Sequence, residues 1–203
     1  MIQVFHAPRA RSTRVLWMLE ELKVPYEVFP IDFFAPRPAE IFEISPTGSV
    51  PAFRDGNVTM IESMAIVEYL GERFGPTPLV PKYGDPSFPA YAQFLHYGEA
   101  SLAASLSVVL GAKFRAPDGE KDNWSTRAAR ETFIKRLGLV ISALKRSDYV
   151  AGQVFTAADI SVGYTLTLTG LAGIEQELDP VLIDYLARLK SRPAFIKATA
   201  DQG

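Results

Sequence analysis

Between Ser45 and Leu70 the chain can do little except turn, pair two short strands and begin a helix. Pro46-Thr47-Gly48 is a turn, followed by Val50-Pro51 and a short apolar strand, Ala52-Phe53-Arg54. Asp55-Gly56 is a two-residue hairpin signal, and Val58 to Ile61 reads as the returning strand. Glu62-Ser63 then opens a helical pattern that runs through Met64, Val67 and Leu70. An acidic–hydroxyl pair therefore stands where a strand becomes a helix. Helix N-termini carry unpaired N–H groups and positive partial charge, which suit a carboxylate. Two readings stand side by side here. Glu62-Ser63 either caps the helix or meets the ammonium and carboxylate of a ligand.

The flanks fix the order of elements. Ile2 to Phe5 is a short strand, and His6 to Arg11 is a basic loop containing a proline. Ser12 is positioned to cap a helix whose apolar residues Val15, Leu16, Leu19 and Leu22 recur at helical spacing. Pro25 stops that helix, and Tyr26 to Ile31 is a second strand. A short helical piece at 39–44 precedes the hairpin. Prolines then crowd the region from Gly75 to Pro89, which reads as a linker. Beyond it only helical patterns recur, at 90–114, 123–145, 157–172 and after Asp179-Pro180. Thr156-Ala157-Ala158-Asp159 is a capping signature for the third of these. The expected division is residues 1–75, a linker at 76–86, and an all-helical domain at 87–203.

Composition narrows the function. The chain has no cysteine and two histidines. No protein thiol can act as nucleophile or redox couple, and a zinc site has too few ligands, so no metal is expected. A formal net charge of −2 with no basic run argues against nucleic acid. No apolar run reaches the ~18 residues that span a bilayer, and the N-terminus shows no basic stretch followed by an apolar one of the kind a signal peptide carries. The expectation is a cytoplasmic protein that touches neither membrane nor nucleic acid.

The strand–helix–strand–hairpin–helix order is thioredoxin-like. Arg14-Val15-Leu16-Trp17-Met18-Leu19-Glu20-Glu21-Leu22 followed by Val24-Pro25-Tyr26-Glu27 resembles the first helix and turn of bacterial cytosolic glutathione transferases. Val50-Pro51, Glu62-Ser63, the box from Phe155 to Ile160, and Arg192-Pro193-Ala194-Phe195 also match that family, so the resemblance runs from Ile2 to about Ala198. It implies an α/β thioredoxin-like N-terminal domain plus an all-α C-terminal domain. It implies glutathione as co-substrate, a homodimer in which each first domain packs on the partner's second, and a role in detoxification. Glu62-Ser63 would hold the γ-glutamyl end of glutathione. The backbone of Val50, before a cis Pro51, would pair with the cysteinyl residue.

The resemblance also implies an enzyme that activates the glutathione thiol for attack on a small apolar electrophile. The alternative is a carrier of glutathione or a hydrophobic ligand, or a protein-interaction module, on the same scaffold. The chain departs from the family at the thiol. Ala10 stands where many classes place a hydroxyl or cysteine, and Phe5 lacks the hydroxyl of the tyrosine classes. Arg9 is the first candidate for thiolate stabilisation and Ser12 the second, with plain helix capping the competing reading for Ser12. His6 either polarises the site or stands by structurally, while Arg11 and Arg14 read as a solvated face or ion pairs. Ser49 replaces a longer polar side chain that touches glutathione in relatives, and Arg37 is a candidate substitute. For the second substrate, expected between the domains, the candidates are Tyr97, Glu99, Leu102, Phe114 and Trp124.

Overall fold

The computed structural model describes residues 1–200. They form two compact units. One comprises Met1–Val80 and the segment from Lys190 onward; the other is Pro81–Leu189.

The first unit is built on a four-stranded sheet. Its strands are β1 (Ile2–His6), β2 (Tyr26–Pro30), β3 (Ala52–Asp55) and β4 (Val58–Met60), in the order β2-β1-β3-β4. The first two strands are parallel, as a helical crossover requires, and the other pairings are antiparallel. The Asp55-Gly56 signal makes the hairpin, with Asp55 opposite Val58 and Gly56 at φ 58°. Helix α1 (Ser12–Leu22) makes the crossover, a short α2 (Ala39–Phe42) follows β2, and α3 (Ser63–Arg73) follows β4. Every residue of α1 from Ser12 to Leu19 is buried, because this helix packs against β1, α3 and the returning C-terminal segment.

That segment carries α10 (Pro193–Ala198). Arg192 donates to both carboxylate oxygens of Glu21 at 2.6 and 2.8 Å, and Phe195 meets Trp17 edge to face with centroids 4.9 Å apart. Lys197 pairs with Glu20 at 2.9 Å.

The regular elements of the second unit are helices, with one isolated bridge between Tyr149 and Gly152. A continuous run comprises α4 (Phe88–His96), a π-helical segment (Tyr97–Ala103) and α5 (Ala104–Arg115). Then come α6 (Trp124–Leu144), α7 (Ala157–Thr167), α8 (Thr169–Ala172) and α9 (Pro180–Lys190). The fold class expected from the sequence is the one observed. Two details differ. The first helical stretch contains the π segment, where Arg136 donates to the Ser101 carbonyl at 2.7 Å and Tyr97 donates to the Arg136 carbonyl at 2.9 Å. The helix expected through Ala172 breaks at Leu168, whose N–H bonds the Thr165 carbonyl at 3.2 Å, three residues back. Among the described residues no helix is long and apolar enough to cross a membrane.

The π segment packs on α7 through Gly98. Thr165 donates to the Gly98 carbonyl at 3.1 Å, and Ser161 donates to the Leu95 carbonyl at 2.7 Å. A Cβ on Gly98 would lie 2.6 Å from the Ser161 carbonyl carbon and 2.8 Å from its oxygen. Backbone cannot rotate aside as a side chain can, so the helices must separate. Gly98→Ala is expected to destabilise the helical unit by about 2–3 kcal/mol, the upper part of the range for overpacking. Urea denaturation followed by circular dichroism measures it; a change under about 0.5 kcal/mol would mean the contact is loose.

Candidate functional site

The strand order brings four segments to one end of the sheet. Strands β1, β2 and β4 end there and β3 begins there. Across that end, in order, lie the 31–38 loop, the turn from Ala7 to Arg11, Val50-Pro51, and Ile61 to Ser63. The candidates from the sequence that belong to the first unit all fall in or beside this row.

The Val50-Pro51 bond is cis. Among the described residues neither the N–H nor the C=O of Val50 has a hydrogen-bond partner. The loop before it is braced from within. Ser45 Oγ accepts the Ser49 N–H at 3.0 Å and lies 2.9 Å from Ser49 Oγ, while Thr47 Oγ1 lies 3.1 Å from the same atom. Gly48 sits at φ 63°, and a Cβ there would meet the Phe42 ring at 3.0 Å. Arg37 braces the loop from outside. It donates to the Gly48 carbonyl at 3.3 Å, the Asp32 carbonyl at 2.6 Å and the Ala35 carbonyl at 3.4 Å. Ser49 and Arg37 thus have structural partners of their own.

At the start of α3, Glu62 is exposed and takes the left-handed conformation, φ 71°. Its carbonyl accepts the Ile66 N–H at 3.0 Å, but its side chain makes no capping bond. Ordinary side-chain capping is therefore not what Glu62 does. Ser63 is buried, and its Oγ accepts a hydrogen bond from Arg14 at 3.1 Å.

Arg14 corrects the reading of that residue as a solvated face. Its side chain is 0% exposed, because α1 is enclosed by the sheet on one side and α3 on another. The usable signal was a single charge inside Ser12-Thr13-Arg14-Val15-Leu16-Trp17-Met18-Leu19, a span otherwise apolar or small and polar.

Ser12 is likewise not the N-cap of α1. It is the first helical residue, Arg11 holds the capping position, and no side chain caps it. The hydroxyl is turned inward instead, since Ser12 is fully buried. Ser12 Oγ shares a 2.8 Å hydrogen bond with Nδ1 of buried His6 and accepts the Ala7 N–H at 3.4 Å. Arg9 stands in the tight turn closed by the Ala10 N–H on the Ala7 carbonyl, at 3.1 Å. It is exposed and left-handed, φ 60°.

The candidates in the helical unit divide. Leu102 is core, 0% exposed, and Tyr97 is bound to Arg136. Glu99 is half-buried, while Phe114 and Trp124 are exposed. Among the described residues no group of three or more His, Asp or Glu is arranged to hold a metal ion.

The family profile described as "Glutathione S-transferase, N-terminal domain" matches residues 4–78. Glutathione S-transferase 3 of Schizosaccharomyces pombe is 36% identical over 174 residues, covering 78% of this chain and 70% of the relative. Glutathione S-transferase F13 of Arabidopsis thaliana is 30% identical over 199 residues, covering 92% and 89%. The solved glutathione transferase of Methylococcus capsulatus superposes with a TM-score of 0.88 over 100% of this chain and 99% of that one, at 20% identity. The chain belongs to the glutathione S-transferase family.

Proposed function

We propose that this glutathione transferase holds the γ-glutamyl end of glutathione at Glu62 and Ser63 and pairs its cysteinyl backbone with Val50, before Pro51. Arg9 then stabilises the thiolate, which attacks a small apolar electrophile. One observation carries the binding part: the N-terminus of α3 has no side-chain cap, while the Glu62 carboxylate beside it is exposed. Its first N–H groups suit the γ-glutamyl carboxylate and Glu62 suits the ammonium. The backbone of Val50 suits an added strand, since it has no partner among the described residues. Calorimetric titration with glutathione tests the reading, and no heat of binding at millimolar ligand would sink it.

The chemistry needs an anion. A free thiol with pKa ~8.5 is only about 3% ionised at neutral pH. Lowering it to ~6.5 makes it roughly three-quarters ionised, for about 2.7 kcal/mol of stabilisation. The Ser12 hydroxyl is buried and engaged with His6 and Ala7, which favours Arg9 for this task. A cation beside the sulfur favours the anion. Arg9→Ala is expected to raise the pKa of the bound thiol by about one unit, a little over 1 kcal/mol. Glutathione affinity should stay nearly unchanged at a pH where the thiol is neutral. Thiolate absorbance of the complex against pH measures the shift. If Arg9→Ala leaves the titration in place and Ser12→Ala moves it, the roles are reversed. A wild-type complex with no thiolate below about pH 8 would point to a carrier.

The same reading includes a homodimer, a cytoplasmic location and a detoxifying role. The first is checked by light scattering, where a monomer mass at micromolar concentration counts against it.

A further inference from the structure

We propose that His6 and Ser12 are positioning residues for the thiolate: their buried hydrogen bond holds the 7–10 turn in the form that sets Arg9. The proposal rests on the Arg9 reading above and extends it to two residues behind the turn.

The turn breaks a local rule. Pro8 fixes its own φ at about −65°, Arg9 takes φ 60°, and the Ala10 N–H closes onto the Ala7 carbonyl at 3.1 Å. A left-handed residue after a proline, inside such a bond, makes a type II turn, whose third position suits glycine or asparagine. An arginine there is strained, and such strain persists only where the surroundings over-determine the backbone. Arg9 is exposed, so burial in the core does not offset the strain. Pro8 equally allows the relaxed type I turn. The two forms differ by a flip of the Pro8–Arg9 peptide, which reverses the Arg9 N–H and changes the rotamers open to its side chain.

What holds the strained form lies on both sides of it. Upstream, the Ile31 N–H donates to the His6 carbonyl at 2.7 Å, which fixes His6 at the end of β1. Downstream, Ser12 is the first residue of α1, and the Thr13 N–H donates to the Ala10 carbonyl at 2.9 Å. The side chains of His6 and Ser12 bridge the two ends, Nδ1 to Oγ at 2.8 Å, and the Ala7 N–H donates to the same Oγ at 3.4 Å. Ala7 and Ala10 pack on one apolar cluster with Phe5, Ile31, Ile41 and Ala52. Both His6 and Ser12 are buried, where a hydrogen bond is electrostatically stronger than in water and costly to leave unmade. The pair therefore fixes the turn's two ends from beneath, and Arg9 is the residue on which that constraint falls.

The test follows thiolate absorbance against pH in the glutathione complex of the full chain. The variants are Arg9→Ala, Ser12→Ala, His6→Leu, His6→Asn and the double variant Arg9→Ala with Ser12→Ala. Ser12→Ala and His6→Leu are each expected to raise the pKa of the bound thiol by about half a unit or more. Glutathione affinity should stay within about twofold of wild type at a pH where the thiol is neutral. In the Arg9→Ala background Ser12→Ala should add nothing, because a residue that acts only through Arg9 has nothing left to position. His6→Asn puts an amide near the place of Nδ1 and should restore most of the wild-type titration.

If Ser12→Ala shifts the titration as much without Arg9 as with it, the proposal is overturned, because the hydroxyl then acts on the sulfur itself. A His6→Asn shift as large as that of His6→Leu also overturns it, because the imidazole then acts by its own charge. Titrations left in place by Ser12→Ala and His6→Leu, or failure of both to fold, overturn it as well and leave the Arg9 reading standing. A titration unmoved by Arg9→Ala overturns the Arg9 reading itself.

Discussion

Asp159→Ala is expected to lower the stability of the helical unit by about 3–5 kcal/mol near neutral pH. Asp159 is fully buried at the start of α7, and its carboxylate gathers donors from three places. Oδ1 accepts the Val150 N–H at 3.0 Å and the Tyr185 hydroxyl at 2.8 Å, and Oδ2 accepts the Thr156 N–H at 2.8 Å. Alanine would leave two backbone N–H groups and a phenol buried without that acceptor. Each such group costs roughly 1–3 kcal/mol when nothing replaces the bond. Against a total stability of about 5–15 kcal/mol, the loss is a large share. Urea denaturation measures it, and a loss below about 1 kcal/mol would mean that water replaces the carboxylate.

The same residue gives a pH signature. Burial pushes the Asp159 carboxyl up to about 6, against the hydrogen bonds from Val150, Thr156 and Tyr185 that hold it down. The folded value lies above the unfolded value of ~3.9. The group's contribution is therefore present in full below about pH 4 and is lost as pH rises through 6. The stability gap between wild type and Asp159→Ala should narrow from about pH 4 to about 6.5 and be level above that. A gap that widens over that range would show that the donors outweigh burial.

Glu62→Ala is expected to weaken glutathione binding by about 1.5–3 kcal/mol, the range for a hydrogen bond to a charged group, or roughly 10- to 150-fold in Kd. The ammonium of the γ-glutamyl end would lose its acceptor. Ser63→Ala should cost a similar amount for a different reason, because it removes a donor to the carboxylate and also leaves a buried Arg14 N–H without its Ser63 acceptor. The two are told apart by stability: Glu62 is exposed and makes no capping bond, so its loss should leave the denaturation midpoint unchanged. Ser63→Ala should lower it. Unchanged affinity in both variants by calorimetry would place the γ-glutamyl end elsewhere.

Local signals in this chain were legible because their partners are close in sequence. Asp55-Gly56 made its hairpin. Thr156 and Asp159 made their capping contact three residues apart, and Asp179 Oδ1 accepts the Val181 N–H at 2.9 Å at the head of α9. Spacing and turn chemistry determine such elements before any tertiary contact forms. The strand–helix order likewise determined the fold class, and the residue identities at Val50-Pro51 and Glu62-Ser63 marked the candidate site. What the sequence left open depends on partners far along the chain. Arg14 reads as one more surface charge on a helix until α3 closes over it and brings Ser63 within 3.1 Å. Ser12 reads as a cap until the turn at Ala7–Ala10 folds its hydroxyl onto His6. Glu21 finds Arg192 across 171 residues. Periodicity says which face of a helix is apolar, but a buried cation, an inward hydroxyl or a returning terminus is decided by which elements meet, and only the packed tertiary structure brings them together.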